Sequence, residues 1–288
     1  VGLTLEIMEH FGVRAEIRIS PERGKGMEAG AARVLKDRAK SGADLAEGKG
    51  APLTFADLPA ILAACEKGGD GARDLVFAVP RASYQAADYA VEGDWSGASY
   101  FLAAGAVGPR AVRVSGLKAR SLQADAAFLG ILEDMGARVE VTEQSVSVSP
   151  APLRGVSADL GDCPDLAPTL AALAAHARGA TVIKNVAHLK IKESDRLLAP
   201  AQELGKAGCV VEVKEDGLVI IPPEGGPAAM DREFSAHNDH RMAMSLALLG
   251  LPGGRGGGPK SFVPRIDNPA CVAKSFPDFW ECWDKVLR

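Results

Sequence analysis

Three stretches of the chain share one pattern of apolar and polar positions: LTLEIMEHFGVRAEIRI, AAFLGILEDMGARVEVT and LLAPAQELGKAGCVVEVK. With Gly12, Gly136 and Gly208 aligned, Leu5, Leu129 and Ala201 coincide. So do Met8, Leu132 and Leu204, and so do Glu16, Glu140 and Glu212. Apolar spacings of three and four put these side chains on one helical face. The glycine suits a helix end, where a left-handed residue carries no steric penalty. Alternation follows at Ala15 and Ile17, Val139 and Val141, and Val211 and Val213. It predicts a strand with one buried face. A second alternating strand comes next: SVSVSP ends at Pro150 and GLVIIPP reaches Pro222, each proline 14 residues past its glycine (150 − 136 and 222 − 208). The predicted unit is helix, strand, turn, strand.

In the first copy the matching strand is DLVFAVP, whose Pro80 lies 68 residues past Gly12, so this copy holds 54 extra residues (68 − 14), about 20–73. Inside that insert, FADLPAILAACEKGG predicts a helix. Asp57 is its N-cap, Pro59 sits in its first turn, and Leu58, Ile61, Leu62 and Cys65 form its apolar stripe. The insert reads as an exposed helical elaboration of a hairpin loop, since long surface insertions cost little loop entropy. The other two copies repeat with a period near 72 residues (208 − 136). That argues for a fold assembled from like α/β modules, with helices buried beneath small mixed sheets. VEGDWSGASYFLAAGAVG marks a boundary. Glu92, Gly93 and Asp94 end a strand, and Ser96 to Ala106 is a helix of small, uncharged residues. A helix with no polar face is a buried helix.

Composition narrows the class. The 288 residues suffice for one large domain or two ordinary ones. A net charge of −4 gives no support for binding nucleic acid or an anionic membrane. There is no uninterrupted apolar run of about 18 residues and no signal peptide, so a cytoplasmic location is expected. The five cysteines are scattered and form no CxxC, which supports neither a disulfide framework nor a zinc site. The first residue is Val1, which suggests a processed or truncated product.

Four charged clusters could carry chemistry. HLKIKESDRLLAP places five charged side chains among the seven positions from Lys190 to Arg196. Read as an extended segment, it puts Lys190 and Lys192 on one face. Ser194 or Asp195 then caps the following helix. A solvated helix end and a site that grips an anion and moves protons both fit. In HNDHRMAMSLALLG, Asn238 or Asp239 is a natural N-cap and the helix is almost wholly apolar. His240 and Arg241 therefore stand in the first turn of a buried helix, against its dipole. A bound anion would remove that conflict, as would a neighbouring carboxylate. In NPACVAKSFPDFW, Lys274 lies between small and aromatic residues and reads by itself as a snorkelling lysine. In GDCPDLAPTLAALAAHA, Asp165 precedes an apolar helix beginning near Pro168, as a cap or as a catalytic carboxylate. Jointly, two arginines at separate helix starts, a lysine and two carboxylates could bind a doubly anionic substrate and manage its protons. Each charge-assisted hydrogen bond contributes roughly 1.5–3 kcal/mol.

KESDR, NDHRMAM, CPD before an alanine-rich helix, VEGDWSGASYFLAAGAV and AKSFPDFW resemble the C-terminal two-thirds of the 5-enolpyruvylshikimate-3-phosphate synthase family, the 3-phosphoshikimate 1-carboxyvinyltransferases. The likeness covers almost the whole chain except the insert, in the family's order. It implies an α/β fold of repeated helix-strand-strand units forming inverted α/β barrels, truncated at the N-terminus. Residues 1–91 would be the remainder of a first barrel domain, with the insert at about 20–73, and residues 92–288 a second barrel domain. The implied reaction transfers the carboxyvinyl group of phosphoenolpyruvate to the 5-hydroxyl of shikimate 3-phosphate and releases phosphate. It uses no cofactor and no metal, and the complete protein is expected to be a monomer.

The resemblance assigns roles residue by residue. Asp165 matches the aspartate proposed to accept the hydroxyl proton, and Glu193 the glutamate proposed as proton donor. Lys192 and Asp165 would contact the shikimate end. Arg196, Arg241 and Lys274 match groups that bind phosphoenolpyruvate, and His240 matches a histidine lining the site. His188 departs from the pattern, standing where other members carry an asparagine that contacts the shikimate phosphate. The family's lysine-serine pair, asparagine-glycine loop, further arginine and serine-serine-glutamine run all belong upstream of position 1. The chain alone is therefore expected to hold a partial active site with little or no activity. The rival readings are a UDP-N-acetylglucosamine enolpyruvyl transferase, which KESDR and NDHRMAM fit less well, and a non-catalytic anion-binding fragment. An enzyme of nucleic-acid ends on a similar barrel is disfavoured by the acidic charge balance.

Overall fold

A computed structural model describes residues 2–19, 75–227, 232–253 and 263–287. The helix expected around Asp57 and Pro59 lies outside them. The chain divides into two compact units, Val1–Ala90 and Val91–Arg288.

The predicted helix-strand-strand unit occurs three times. In the first unit, helix α1 (Gly2–His10) precedes strands β1 (Glu16–Ile19) and β2 (Leu75–Ala78), which pair antiparallel. In the second unit, α3 (Phe128–Asp134) leads into β4 (Arg138–Val141) and β5 (Ser145–Ser149). Helix α5 (Leu198–Lys206) likewise leads into β8 (Val210–Val213) and β9 (Leu218–Ile221). All three helices end on the same device. Gly12, Gly136 and Gly208 have φ of +83°, +98° and +92°. The next residue's N–H then reaches back five positions: Val13 to Met8, Ala137 to Leu132 and Cys209 to Leu204, at 2.8, 2.9 and 3.0 Å. This is a Schellman closure, in which a left-handed residue lets otherwise orphaned carbonyls find donors.

Helix α2 spans Trp95–Val107 and is buried at every residue, as its lack of any charged side chain requires. The Asp94 carboxylate caps it, accepting from the Ser96 and Gly97 N–H groups. It packs so closely on the sheet that a Cβ at Gly105 would stand 2.6 Å from the Val148 carbonyl oxygen. Strand β3 (Val112–Ser115) follows, giving the sheet order β3-β5-β4. Strands β6 (Ser157–Asp159) and β7 (Thr181–Lys184), joined through the fully buried helix α4 (Ala167–Ala174), give a second sheet ordered β6-β7-β9-β8. A second crossover joins β10 (Glu233–Phe234) through α6 (His240–Leu246) and a following turn to β11 (Arg265–Ile266), which lies parallel to β10. The C-terminal helix α7 (Phe279–Leu287) seats Phe279 and Trp283 against Phe101, with ring centroids 5.5 and 6.0 Å away.

The strands after the three glycines were expected to bury one face. In the second unit that face is buried only in part, with Val139 and Val211 packed against the core. β4 and β8 are sheet edges, and Val141 and Val213 are 47% and 40% exposed. The buried alternation belongs to the inner strands, at Val146 and Val148 of β5 and at Leu218 and Ile220 of β9. Period-two patterning reports a pleat; which strand lies over the helices depends on sheet order. Among the described residues, no helix is long and apolar enough to cross a membrane.

Candidate active site

The N-terminal ends of α4, α5 and α6 bring the charged clusters together. Asp239 caps α6, its carboxylate accepting from the Arg241 N–H at 2.9 Å, so Asp239 and not Asn238 fills the cap position. Asp195 opens α5, accepting from the Leu197 and Leu198 N–H groups at 2.9 and 3.0 Å. Ser194 instead donates to Asp239 Oδ2 at 3.0 Å. Asp165 lies in the 3-10 turn Pro164–Leu166 ahead of α4 and makes no cap bond; its carboxylate faces two arginines.

Arg196 organises these carboxylates. Its side chain is 2% exposed, and all three guanidinium nitrogens are engaged. Nε and Nη2 grip Asp239 at 2.7 and 3.1 Å, Nη1 donates to Asp165 Oδ1 at 3.0 Å, and Nη2 also donates to Glu193 Oε2 at 2.8 Å. A buried cation persists only when paired and hydrogen-bonded in this way. From α6, Arg241 Nη2 donates to the other oxygen of Asp165 at 2.8 Å. From the 3-10 turn Pro269–Lys274, Lys274 Nζ donates to Glu193 Oε1 at 2.7 Å. Asp165 and Glu193 are thus each shared between Arg196 and a second cation.

These contacts set the acidities. The Lys274 hydrogen bond is the main cause that holds Glu193 down at about 2. Burial pushes Asp239 up, but Arg196 outweighs it and the carboxyl lies below its usual range. Burial lowers His240 more than neighbouring Asp239 raises it, favouring the neutral imidazole. Among the described residues its buried Nδ1 has no hydrogen-bond partner, and it stands 3.7 Å from Asp239 Oδ1. Burial also lifts the Cys163 thiol to about 11, which favours the protonated form.

One local expectation is corrected. Lys190 and Lys192 do not share a face of an extended segment, because Ala187–Ile191 is a 3-10 turn. Val186 and Leu189, three apart, are both fully buried, and a 3-10 turn puts them on one side where a strand would put them on opposite faces. Lys190 turns away to the Glu215 carbonyl at 2.7 Å. Lys192 and His188 are exposed around this turn, outside the hydrogen-bonded network of Asp165, Glu193, Arg196, Arg241 and Lys274.

Sequence reasoning passed over three contributors. Asp239 was legible as a cap but not as the clamp on Arg196. Tyr100, wholly buried, lies within the electrostatic reach of Arg241; burial raises it to about 12 against that cation's pull. Asp125, hydrogen-bonded by the Ser96 hydroxyl, feels both Asp165 and Arg241, and burial raises it. For Tyr100 the only signal was a hydroxyl within a helix predicted to be buried.

Repeated units of this topology, with helix starts gathering cations and acids, define an inverted α/β barrel of the enolpyruvyl transferase type. Residues 69–283 match the family described as EPSP synthase (3-phosphoshikimate 1-carboxyvinyltransferase). The chain is 45% identical over 219 residues to the 3-phosphoshikimate 1-carboxyvinyltransferase of Syntrophobacter fumaroxidans, covering 75% of this chain and 49% of the relative. It is 43% identical over 196 residues to that of Nitrosomonas europaea, covering 67% and 43%. The EPSP synthase structure from Acinetobacter baumannii superposes with a TM-score of 0.60 at 25% identity, over 74% of this chain and 50% of that one. The enolpyruvyl transferase NikO from Streptomyces tendae shares the fold, with a TM-score of 0.54 at 20% identity, over 79% and 53%. The chain belongs to the EPSP synthase family. It spans about half the length of the curated relatives it matches.

Proposed function

We propose that this chain carries the proton-handling and phosphoenolpyruvate-gripping part of a 3-phosphoshikimate 1-carboxyvinyltransferase. The carboxyvinyl group passes from phosphoenolpyruvate to the 5-hydroxyl of shikimate 3-phosphate, and phosphate is released. One observation carries the reading: Arg196, Arg241 and Lys274, from three separate segments, all reach Asp165 or Glu193 within 3.0 Å.

Each of these cations rests on an acid. Arg196 is 2% exposed and fixed, whereas the Arg241 and Lys274 side chains are 15% and 58% exposed and can turn. A substrate carboxylate and phosphate offer them competing acceptors. When Arg241 turns, Asp165 Oδ2 is freed to take the hydroxyl proton. When Lys274 turns, Glu193 loses the contact that holds it near 2 and becomes a usable acid only in the loaded site.

In the addition step the 5-hydroxyl oxygen bonds to C2, its proton goes to Asp165, and the Glu193 proton goes to C3, making a methyl group. In the elimination step a methyl proton returns to Glu193 and the C2=C3 bond re-forms. The C2–O bond to phosphate breaks, and the departing phosphate takes the proton held by Asp165. Arg241 and Lys274 hold the donor's anionic groups throughout, while Arg196, placed by sequence among the donor-binding groups, stays on the carboxylates and positions the two acids. His240 lines the donor end, and Lys192 and His188 serve the shikimate 3-phosphate end. The two compact units correspond to two barrel domains in this reading. The complete protein works as a monomer in the cytoplasm, in aromatic amino-acid biosynthesis.

Calorimetry with phosphoenolpyruvate, shikimate 3-phosphate and UDP-N-acetylglucosamine tests the assignment. The expected result is binding of the first two, with Arg241→Ala weakening phosphoenolpyruvate roughly 10- to 100-fold, the loss of one charge-assisted contact. Preference for the sugar nucleotide would transfer the chain to the other enolpyruvyl branch. Phosphate binding without turnover, even when the remainder of a family member is supplied, would leave only an anion-binding module.

A further inference from the structure

Between β10 and α6 the backbone takes an unusual course. His237 and Asn238 have φ of +51° and +54°. L-residues visit this left-handed region singly, and asparagine and histidine do so more often than most. Two in succession persist only where surrounding contacts fix them. The next residue is Asp239, which caps α6 and clamps Arg196, and Arg241 follows in the first turn. The aim of both side chains is therefore set by a strained turn.

Contacts from two sides fix that turn. From α5, the buried Glu203 carboxylate reaches across to it. Its Oε2 accepts from the Ser235 N–H at 2.8 Å and from Lys206 Nζ at 2.7 Å, and its Oε1 stands 3.1 Å from His237 Nε2. From the segment after β11, Asp267 accepts from the Ser235 hydroxyl at 2.7 Å and from the Ala236 N–H at 2.8 Å. Asn268 Nδ2 donates to Asn238 Oδ1 at 2.9 Å. Glu203 lies seven residues past Arg196 (203 − 196), about two helical turns along the same segment. That segment thus holds the approach to α6 at two points: Glu203 at Ser235 and His237, and Arg196 at Asp239. An apolar side chain would suffice to fill the inward position of Glu203, as the neighbouring Leu204 does. A buried carboxylate is retained there only through what it bonds.

We infer that Glu203, acting through His237, is a positioning residue of the site. It keeps residues 237 and 238 left-handed, and so holds Asp239 and Arg241 in register with Arg196 and Asp165. It touches no reacting atom. The inference rests on the reading of Arg241 as a donor-binding group and adds which residue aims it. Without the Glu203–His237 contact the turn relaxes in part of the population, and only the remainder grips the donor. The apparent dissociation constant then rises by the inverse of that fraction.

The test uses His237→Asn in the 288-residue chain. Asparagine accepts a left-handed backbone but is too short to reach Glu203. The denaturation midpoint is expected to change little. Exchange of the Ala236, Asp239 and Arg241 amides, followed by NMR, is expected to speed up about tenfold or more. Phosphoenolpyruvate, titrated with shikimate 3-phosphate present, is expected to bind about tenfold more weakly. Glu203→Gln keeps one acceptor oxygen of two and should give a smaller loss. His237→Asn should matter less in that background than in the parent chain, because both changes break one contact. Exchange at the parent rate overturns the inference whatever the affinity. So does faster exchange with unchanged affinity, a matching loss of protection throughout the fold, or an equal effect in both backgrounds. If the parent chain binds no phosphoenolpyruvate, the donor reading fails, and the amide exchange alone decides for or against the role of Glu203.

Discussion

The charged network has two ends that differ in kind. At one end Arg196 clamps Asp239, with both side chains out of solvent. At the other, Lys274 meets Glu193 where the lysine is more than half exposed. Both contacts are 2.7 Å long. Distance therefore does not separate them; burial does. A buried ion pair is costly to break from one side, because the surviving charge is left stranded in a poorly polarisable interior. A surface pair is worth about 0–1 kcal/mol and exchanges readily for another partner. The buried end is scaffold, and the exposed end is the part free to respond to an anion.

This contrast is broken most directly by removing Asp239. Asp239→Ala should destabilise the protein by about 3–5 kcal/mol in a denaturant titration, by stranding Arg196 and uncapping α6. A loss under about 1 kcal/mol would mean that the clamp is no scaffold. Arg241→Ala, between the two ends, should cost less stability than Asp239→Ala, because Asp165 keeps Arg196 as a partner. Its main effect should appear in phosphoenolpyruvate affinity, with the fold loss given above.

Lys274→Met should shift stability by about 1 kcal/mol or less. It should nonetheless raise Glu193 from about 2 toward the ordinary carboxylate range, seen by carboxyl-carbon NMR across the acid range. The sign follows from linkage. A depressed carboxyl adds stability that is complete above its unfolded value of 4.5 and is lost as pH falls through about 2. The variant should lose that acid-range dependence. The smallest effect is expected at His240, whose lowered pKa also favours the folded state at higher pH. That contribution is complete above the unfolded value of 6.5 and declines as pH falls below it. His240→Gln should flatten the stability profile there; an unchanged slope would show that another group titrates.

The repeated unit was legible in the sequence because glycine, period and alternation are local. Gly12, Gly136 and Gly208 mark all three helix ends, and the uncharged stretch from Ser96 to Ala106 announces its burial. Edge and inner strands were not separable, because Val141 and Val146 carry the same alternation and only sheet order assigns one to solvent. The turn at Ala187–Ile191 was misread as extended because charge density at Lys190 and Lys192 hid the Val186 and Leu189 spacing beneath it. The clustering of Asp165, Glu193, Arg241 and Lys274 came from family likeness. No local rule joins residues 76 and 81 positions apart.

The measurement closest to the central claim is a titration of phosphoenolpyruvate, with shikimate 3-phosphate present, into the parent chain and into Lys274→Met, with Glu193 followed by NMR. If the exposed end is the responsive one, ligand should raise the Glu193 pKa in the parent chain and leave it unchanged in the variant, where it is already released. A ligand that binds the parent chain while Glu193 stays near 2, still paired with Lys274, would contradict the account.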